Sequence, residues 1–389
     1  MDERIWALPG PRTLITDALG ELKSDRHVFM ALPASMVADP AVTDSLCDAV
    51  ATEAGRFTTV RRIFSDPDAD SLLDVVARAV DFDDPPATVP ELLSHHHGAG
   101  ATFVVVAADH HASRQAELPK FLERIEQETH SAPTDIGLSL VVIGGRKHLP
   151  SFRGGDDSEV SLATLWWWNR IARWDTAAHI SHIDGPPAEA RILADVRSET
   201  IVEVARWDLS LAERLAQDWS GDPDELPDHL ADPEWVEQPP DSREQCGPRP
   251  AEGQLGLWDA GTLDGWHDHY SPAPGSQRLR RRVWAAQARI VLPWIEERRE
   301  VLQERAIAKM GRKRFNEALE LMFDPPLTDA GQVEIKDLYK VIDGCLGKHE
   351  PRMRSTAWRM RHSRNKAAHL EPLALGELGE LVDACRDLH

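Results

Sequence analysis

Apolar residues in the first 150 positions fall into short unbroken runs, separated by stretches with helical spacing. Residues 13–22, 41–53, 71–80 and 116–129 space their apolar positions as amphipathic helices do. Residues 27–33, 57–64, 102–108 and 138–143 read as strands, and Phe103-Val104-Val105-Val106 is the clearest of them. Continuous apolar strands alternating with helices predict a parallel sheet covered on both faces. From 187 to 221 the spacing is helical, and it is helical again from about 276 to the end. Breaks at Pro325-Pro326 and before Glu350 divide that second region into about four or five helices. The block Leu165-Trp166-Trp167-Trp168-Asn169-Arg170-Ile171-Ala172-Arg173-Trp174 puts Trp167, Ile171 and Trp174 at helical intervals, so a buried helix is expected there. A base-stacking or partner-binding platform is the alternative, with Arg170 and Arg173 beside the rings. Residues 223–275 become acidic and then rich in Pro and Gly. They predict a linker, with Trp258 and Trp266 as docking points.

This gives a domain plan. An α/β domain with a helical lid (about 160–222) occupies 1–222, a linker 223–275, and an all-α bundle 276–389.

Charge changes the picture in one respect. The chain of 389 residues has a formal net charge of -21, which argues against coating nucleic acid with the whole surface. Yet residues 277–314 hold twelve Lys and Arg against four Glu, and 352–366 are basic too. Such a segment can hold RNA or DNA, or dock onto the acidic part of the chain. Four scattered cysteines without a C-x-x-C pair speak against a disulfide framework or a zinc cluster. No run reaches the eighteen or more apolar residues of a membrane span, and Met1-Asp2-Glu3-Arg4 opens no signal core. The expectation is a cytoplasmic protein without membrane contact.

The order of strands resembles a P-loop (STAND-like) NTPase core, with 27–32 before the phosphate loop, Val104–Asp109 as the acid-ending strand and 138–145 as the next. The phosphate loop itself is missing. Pro33-Ala34-Ser35-Met36-Val37-Ala38-Asp39-Pro40 follows the first strand, with neither the Gly nor the Lys that cradle phosphates. A degenerate core, not an active ATPase, is expected, with no cofactor.

Metal and covalent chemistry find little support. His95-His96-His97, His110-His111, His179 with His182 and Asp184, and His267 with His269 lack the spacing of metal ligands, so no metal is expected. There is no G-x-S-x-G elbow, and Cys47 and Cys385 fall on core faces.

One motif carries a reaction. Arg361-His362-Ser363-Arg364-Asn365-Lys366-Ala367-Ala368-His369 lies near the end, on a helix expected over 350–368. Asn365 and His369 share a face; Arg364 is turned from Asn365 by about 100°. A His near a helix C-terminus meets the negative end of the dipole and exchanges protons near neutral pH. An Arg beside it can clasp a phosphate. Those are the needs of metal-free RNA cleavage.

Arg364-Asn365-Lys366-Ala367-Ala368-His369, followed by Leu370-Glu371-Pro372-Leu373, resembles the R-x4-H motif of HEPN domains of the abortive-infection type, over about the last 110 residues. The resemblance implies a helical bundle that forms a homodimer and joins two motifs over one RNA strand. Arg364 and His369 would be catalytic with Asn365 as polar neighbour, and Arg361 and Lys366 would bind RNA. It also implies a role in antiviral defence or as a toxin, beside other defence-system proteins. A catalytically inactive adaptor that binds partner proteins or nucleic acid is the alternative.

Overall fold

The computed structural model describes residues 3–55, 59–63, 71–80, 82, 88–93, 102–107, 117–131, 138–149, 161–185, 190–230, 247–264, 275–323, 327, 331 and 333–388. Two compact units emerge. One comprises Met1–Asp175 with Gln238–Tyr270, the other Thr176–Glu237 with Ser271–His389.

The first unit alternates helices and strands. A 3-10 turn, Glu3–Ala7, leads to α1 (Pro9–Lys23), β1 (His27–Ala31), α2 (Ala34–Val37), α3 (Pro40–Ala54), β2 (Thr59–Ile63), α4 (Leu72–Ala79), α5 (Val89–Leu93), β3 (Thr102–Ala107), α6 (Leu118–Ser131), β4 (Leu138–Gly144) and β5 (Leu162–Trp166). All strand pairs are parallel, in the order β2-β3-β4-β1-β5. α1 and α3 pack together, as do α4, α5 and α6, so helices cover the sheet as two groups. β1 and β4 are sealed along their whole length, as continuous apolar strands between two helical layers must be. Caps set the helix ends: Asp39 accepts from the Ala41 N–H at 3.0 Å to open α3, and Ser71 accepts from the Asp74 N–H at 3.2 Å to open α4.

The tryptophan block is not the helix expected from its spacing. Its first part is β5, an edge strand beside β1, and its chain then turns through Asn169 at φ 55 into α7 (Arg173–Ile180). The sheet overrides the helical spacing because the Trp167 N–H donates to the Ala31 carbonyl (2.8 Å) and β5 pairs with β1 residue by residue. Trp167 and Trp168 are buried, while Trp174 is 72% exposed, so the three-residue face of the expected helix does not exist. Trp6 meets Trp167 edge-on at 5.5 Å, and Asp175 ties the N-terminus down by accepting from the Gly10 N–H at 3.0 Å. Gly10 is obligatory: a Cβ there would sit 1.7 Å from the Arg170 carbonyl oxygen.

The second unit gathers α8 (Arg191–Ala205), α9 (Leu209–Asp218) and α10 (Leu226–His229) with α12 (Gln277–Met310), α13 (Arg312–Met322), α14 (Ile335–Cys345), α15 (Pro351–Ala368) and α16 (Leu375–Cys385); α11 (Leu255–Asp259) belongs to the first unit. The helices expected as a lid of the α/β domain therefore pack with the C-terminal helices. The reason is an apolar match: Val196 of α8 joins Val291, Ile295, Leu302, Leu338, Met360 and Leu381 in one core, and Leu279 and Val283 of α12 join Ile201, Leu211, Leu215 and Trp219 in another. Arg289 of α12 adds ion pairs to Glu199 (2.8 Å) and Glu203 (2.7 Å) of α8. Pro293 does not break α12, which runs through it and is 34 residues long.

The stretch 223–275, expected as a linker, contains α10 in the second unit and returns to the first with α11. Trp258 is 1% exposed, donates from Nε1 to the Trp167 carbonyl at 2.6 Å, and meets Trp166 edge-on at 5.1 Å. The second expected docking point, Trp266, lies outside the described residues. Among the described residues, no helix is long and apolar enough to cross a membrane.

Candidate functional site

Doubly wound sheets bind ligands where neighbouring strands send their chains to opposite faces. Here that place is the carboxyl end of β1 and β4, since β1 leads to α3 while β4 crosses over β1 to β5. Its contents are the chain's own. After β1 come Pro33 and the single turn of α2, then Asp39, whose carboxylate already occupies the N-terminus of α3. β4 ends at Gly144, followed by Gly145 and the buried His148, whose Nδ1 accepts from the Gly145 N–H at 3.2 Å. The segment around α11 closes over both: a Cβ on Gly261 would lie 3.5 Å from Ser35 Oγ, and one on Gly256 3.7 Å from Arg146 Nη1. Asp109, expected to end the third strand of such a core, lies outside the described residues, as do His95-His96-His97, His110-His111, His267 and His269. His179 is 3.9 Å from Glu213, and no group of three metal-ligating side chains occurs among the described residues.

The motif residues sit on α15 and its C-terminal cap. α15 buries Thr356, Ala357, Met360, Ser363 and Ala367 against α12, α14 and α16. That apolar stripe forces the rest of the helix outward. Asn365 is half-buried and His369 exposed, and among the described residues neither side chain has a hydrogen-bond partner. Arg364 leans to the α14 side, 3.5 Å from Glu334 Oε2, with its side chain 39% exposed. Lys366 leans the other way and donates to both oxygens of Glu377 at 2.7 Å. Its hydrogen bond helps hold the Glu377 carboxyl below the usual range despite burial, which acts in the opposite direction. Arg361 lies 5.1 Å from the Tyr339 ring centroid.

The helix end is a Schellman closure made without glycine. The Glu371 N–H donates to the Lys366 carbonyl at 3.0 Å, and Leu370 takes φ 62. A leucine in the left-handed region costs on the order of 1 kcal/mol, so the surroundings must hold it there. α12 does so. Trp284 Nε1 donates to the Ala367 carbonyl at 2.5 Å, and the buried Gln287 amide both donates to the Leu373 carbonyl (2.8 Å) and accepts from its N–H (2.7 Å). Neither Trp284 nor Gln287 stands out in the sequence, because both look like ordinary positions of a long basic helix.

Part of the basic segment is engaged within the chain. Besides Arg289, Arg282 donates to the Val204 carbonyl (2.8 Å), Arg299 pairs with Glu296 (2.5 Å), and Lys309 with Glu350 (2.7 Å). On α15, Arg354 pairs with Asp343 and Arg359 with Glu380. A cleft of about 740 Å³ lies by Arg305, Lys309, Arg352 and Asp383, at the start of α15 and away from the motif. A smaller one of about 470 Å³ opens beside Lys366 and Glu377, between α10, the start of α12 and the loop after α15.

No protein-family model matches this chain, and comparison with curated proteins finds no match.

Proposed function

We propose that the chain is a HEPN-type, metal-independent RNA-cleaving effector of antiphage or toxin-type defence, its site completed across a homodimer of the helical unit. The observation that carries this reading is the outward, unengaged placement of Asn365 and His369, with the Arg364 guanidinium half-exposed on the same turn. One imidazole and one guanidinium make half of a cleavage site. The 2′-oxygen must lose its proton as it bonds to phosphorus, and the departing 5′-oxygen must gain one as its P–O bond breaks, leaving a 2′,3′-cyclic phosphate and a 5′-hydroxyl. Two histidines, one per protomer, serve as base and acid. Two arginines offset the charge on the phosphorane. The α/β unit acts as a non-hydrolysing docking or sensing module, supported by the Asp39 cap and by the α11 segment over the sheet crevice.

The test uses full-length protein and labelled RNA. Wild type should cleave without added metal, and Arg364→Ala or His369→Ala should lower the rate by about 10²–10⁴-fold, the usual weight of a general acid or base. Specific activity should fall on dilution through the dimer dissociation constant. Intact RNA with wild type, its partners present, rejects the reading. It would select the adaptor alternative, which the pairing of Lys366 with Glu377 and of Arg364 with Glu334 favours, since both cations are already answered within the chain.

A further inference from the structure

The outer face of α15 holds more than the motif. Trp358, His362, Asn365 and His369 follow one another at intervals of four, three and four, so they form one stripe about 16 Å long. Trp358 keeps 41% of its surface exposed, although large aromatic side chains are normally well buried. Its ring lies nearly parallel to that of His362, with centroids 5.2 Å apart and planes at 6°. The Arg359 guanidinium stands 4.9 Å from the Trp358 ring centroid.

We propose that this stripe is a stacking track for single-stranded RNA, in which Trp358 and His362 receive an unpaired base and direct the strand to His369. The inference rests on the cleavage reading above and names the substrate class and the binding residues of that same site. Three observations carry it. The parallel rings offer a flat π-face to a base, which duplex RNA keeps stacked within itself. The helix beneath is cationic: α15 holds five arginines, one lysine and no carboxylate. The carboxylates that answer those cations (Glu334, Asp343, Glu377 and Glu380) belong to the flanking segments, and of them Glu377 also reaches the stripe, 3.6 Å from His362 Nε2, whose side chain stays 43% exposed. A phosphate backbone laid along α15 would exchange with exposed carboxylates such as Glu380 rather than strip a buried pair. Arg361, held over Tyr339 and without an ion-pair partner among the described residues, follows Trp358 by three positions and can take a phosphate.

The test measures binding apart from cleavage. Full-length His369→Ala protein is titrated against a fluorescent oligouridine of about ten nucleotides and against an RNA duplex, by anisotropy. Adding Trp358→Ala should weaken single-strand binding about 5- to 100-fold. Trp358→Phe should keep most of the affinity. The duplex affinity and the salt dependence should not change, because no charge is removed. The proposal is overturned if the parent does not bind the single strand, or if Trp358→Ala binds it as tightly as the parent. Equal weakening toward single strand and duplex also rejects it, as does a loss of dimer in sedimentation without a loss of RNA affinity, which would make Trp358 a protein contact. Failure of the two readings is distinguishable. Trp358-dependent binding by a wild type that never cleaves leaves the track standing and removes the nuclease. Cleavage that is indifferent to Trp358→Ala does the reverse.

Discussion

His27 begins β1 with its imidazole sealed from solvent. The Leu140 N–H donates to Nδ1 at 3.0 Å, so the ring proton sits on Nε2 and points to Thr129 Oγ1, also at 3.0 Å. Both contacts suit the neutral ring, and burial lowers its pKa to about 4 from 6.5. Above pH 6.5 the ring is neutral in folded and unfolded chains alike, and it contributes no slope. Below it the unfolded chain takes up a proton that the folded chain refuses, so stability falls between about pH 6.5 and 4, by roughly 1.4 kcal/mol per unit and about 3 kcal/mol in all. Urea unfolding of the α/β unit at pH 7 and pH 5 should show this loss, and His27→Gln should flatten it. An unchanged midpoint in wild type would mean that water reaches the ring.

At the scale of elements, the clasp between α12 and the loop after α15 decides where the motif ends. Gln287→Ala would leave the N–H and carbonyl of the buried Leu373 without their partners. The expected cost is about 2–4 kcal/mol, read as a lower denaturation midpoint of the helical unit, with faster proteolysis at residues 370–373. Such elements also show what the sequence made legible. α15 was readable because Ala357, Met360, Ser363 and Ala367 alternate with cations at helical spacing, and β1 and β4 because buried parallel strands are unbroken apolar runs. The motif residues could be read as one group, since they are local in sequence. Their fastening could not, because Gln287 and Leu373 are 86 positions apart. β5 was missed for the same reason: Leu165 and Trp166, read as the start of a helix, end a strand that pairs with β1, far away in the chain. Local periodicity cannot show a partner it does not contain.

For the whole molecule, the notable fact is that neither unit is one continuous piece of chain. A fragment starting at residue 276 looks like an independent helical domain in the sequence. It would expose the sides of α12 that cover Val196, Ile201 and Leu215. Expressed alone, residues 276–389 should bind hydrophobic dyes and lack a sharp near-ultraviolet circular dichroism signal. Supplying 176–237 in trans or by fusion should restore both a cooperative transition and a dry surface. If 276–389 melts cooperatively alone, the packing of α8 and α9 is dispensable.

The hydrogen bond from Trp258 to the Trp167 carbonyl joins positions 91 residues apart. At about 5–20 residues per second of synthesis, the strand that ends at Trp166 waits roughly 5–20 s for the tryptophan that covers it. Over that interval the growing polypeptide carries an open, tryptophan-lined edge, and helices of the other unit leave the ribosome before that edge is covered. The order in which this protein matures is therefore written into its threading, and a chaperone that shields aromatic edges has a defined moment at which to act.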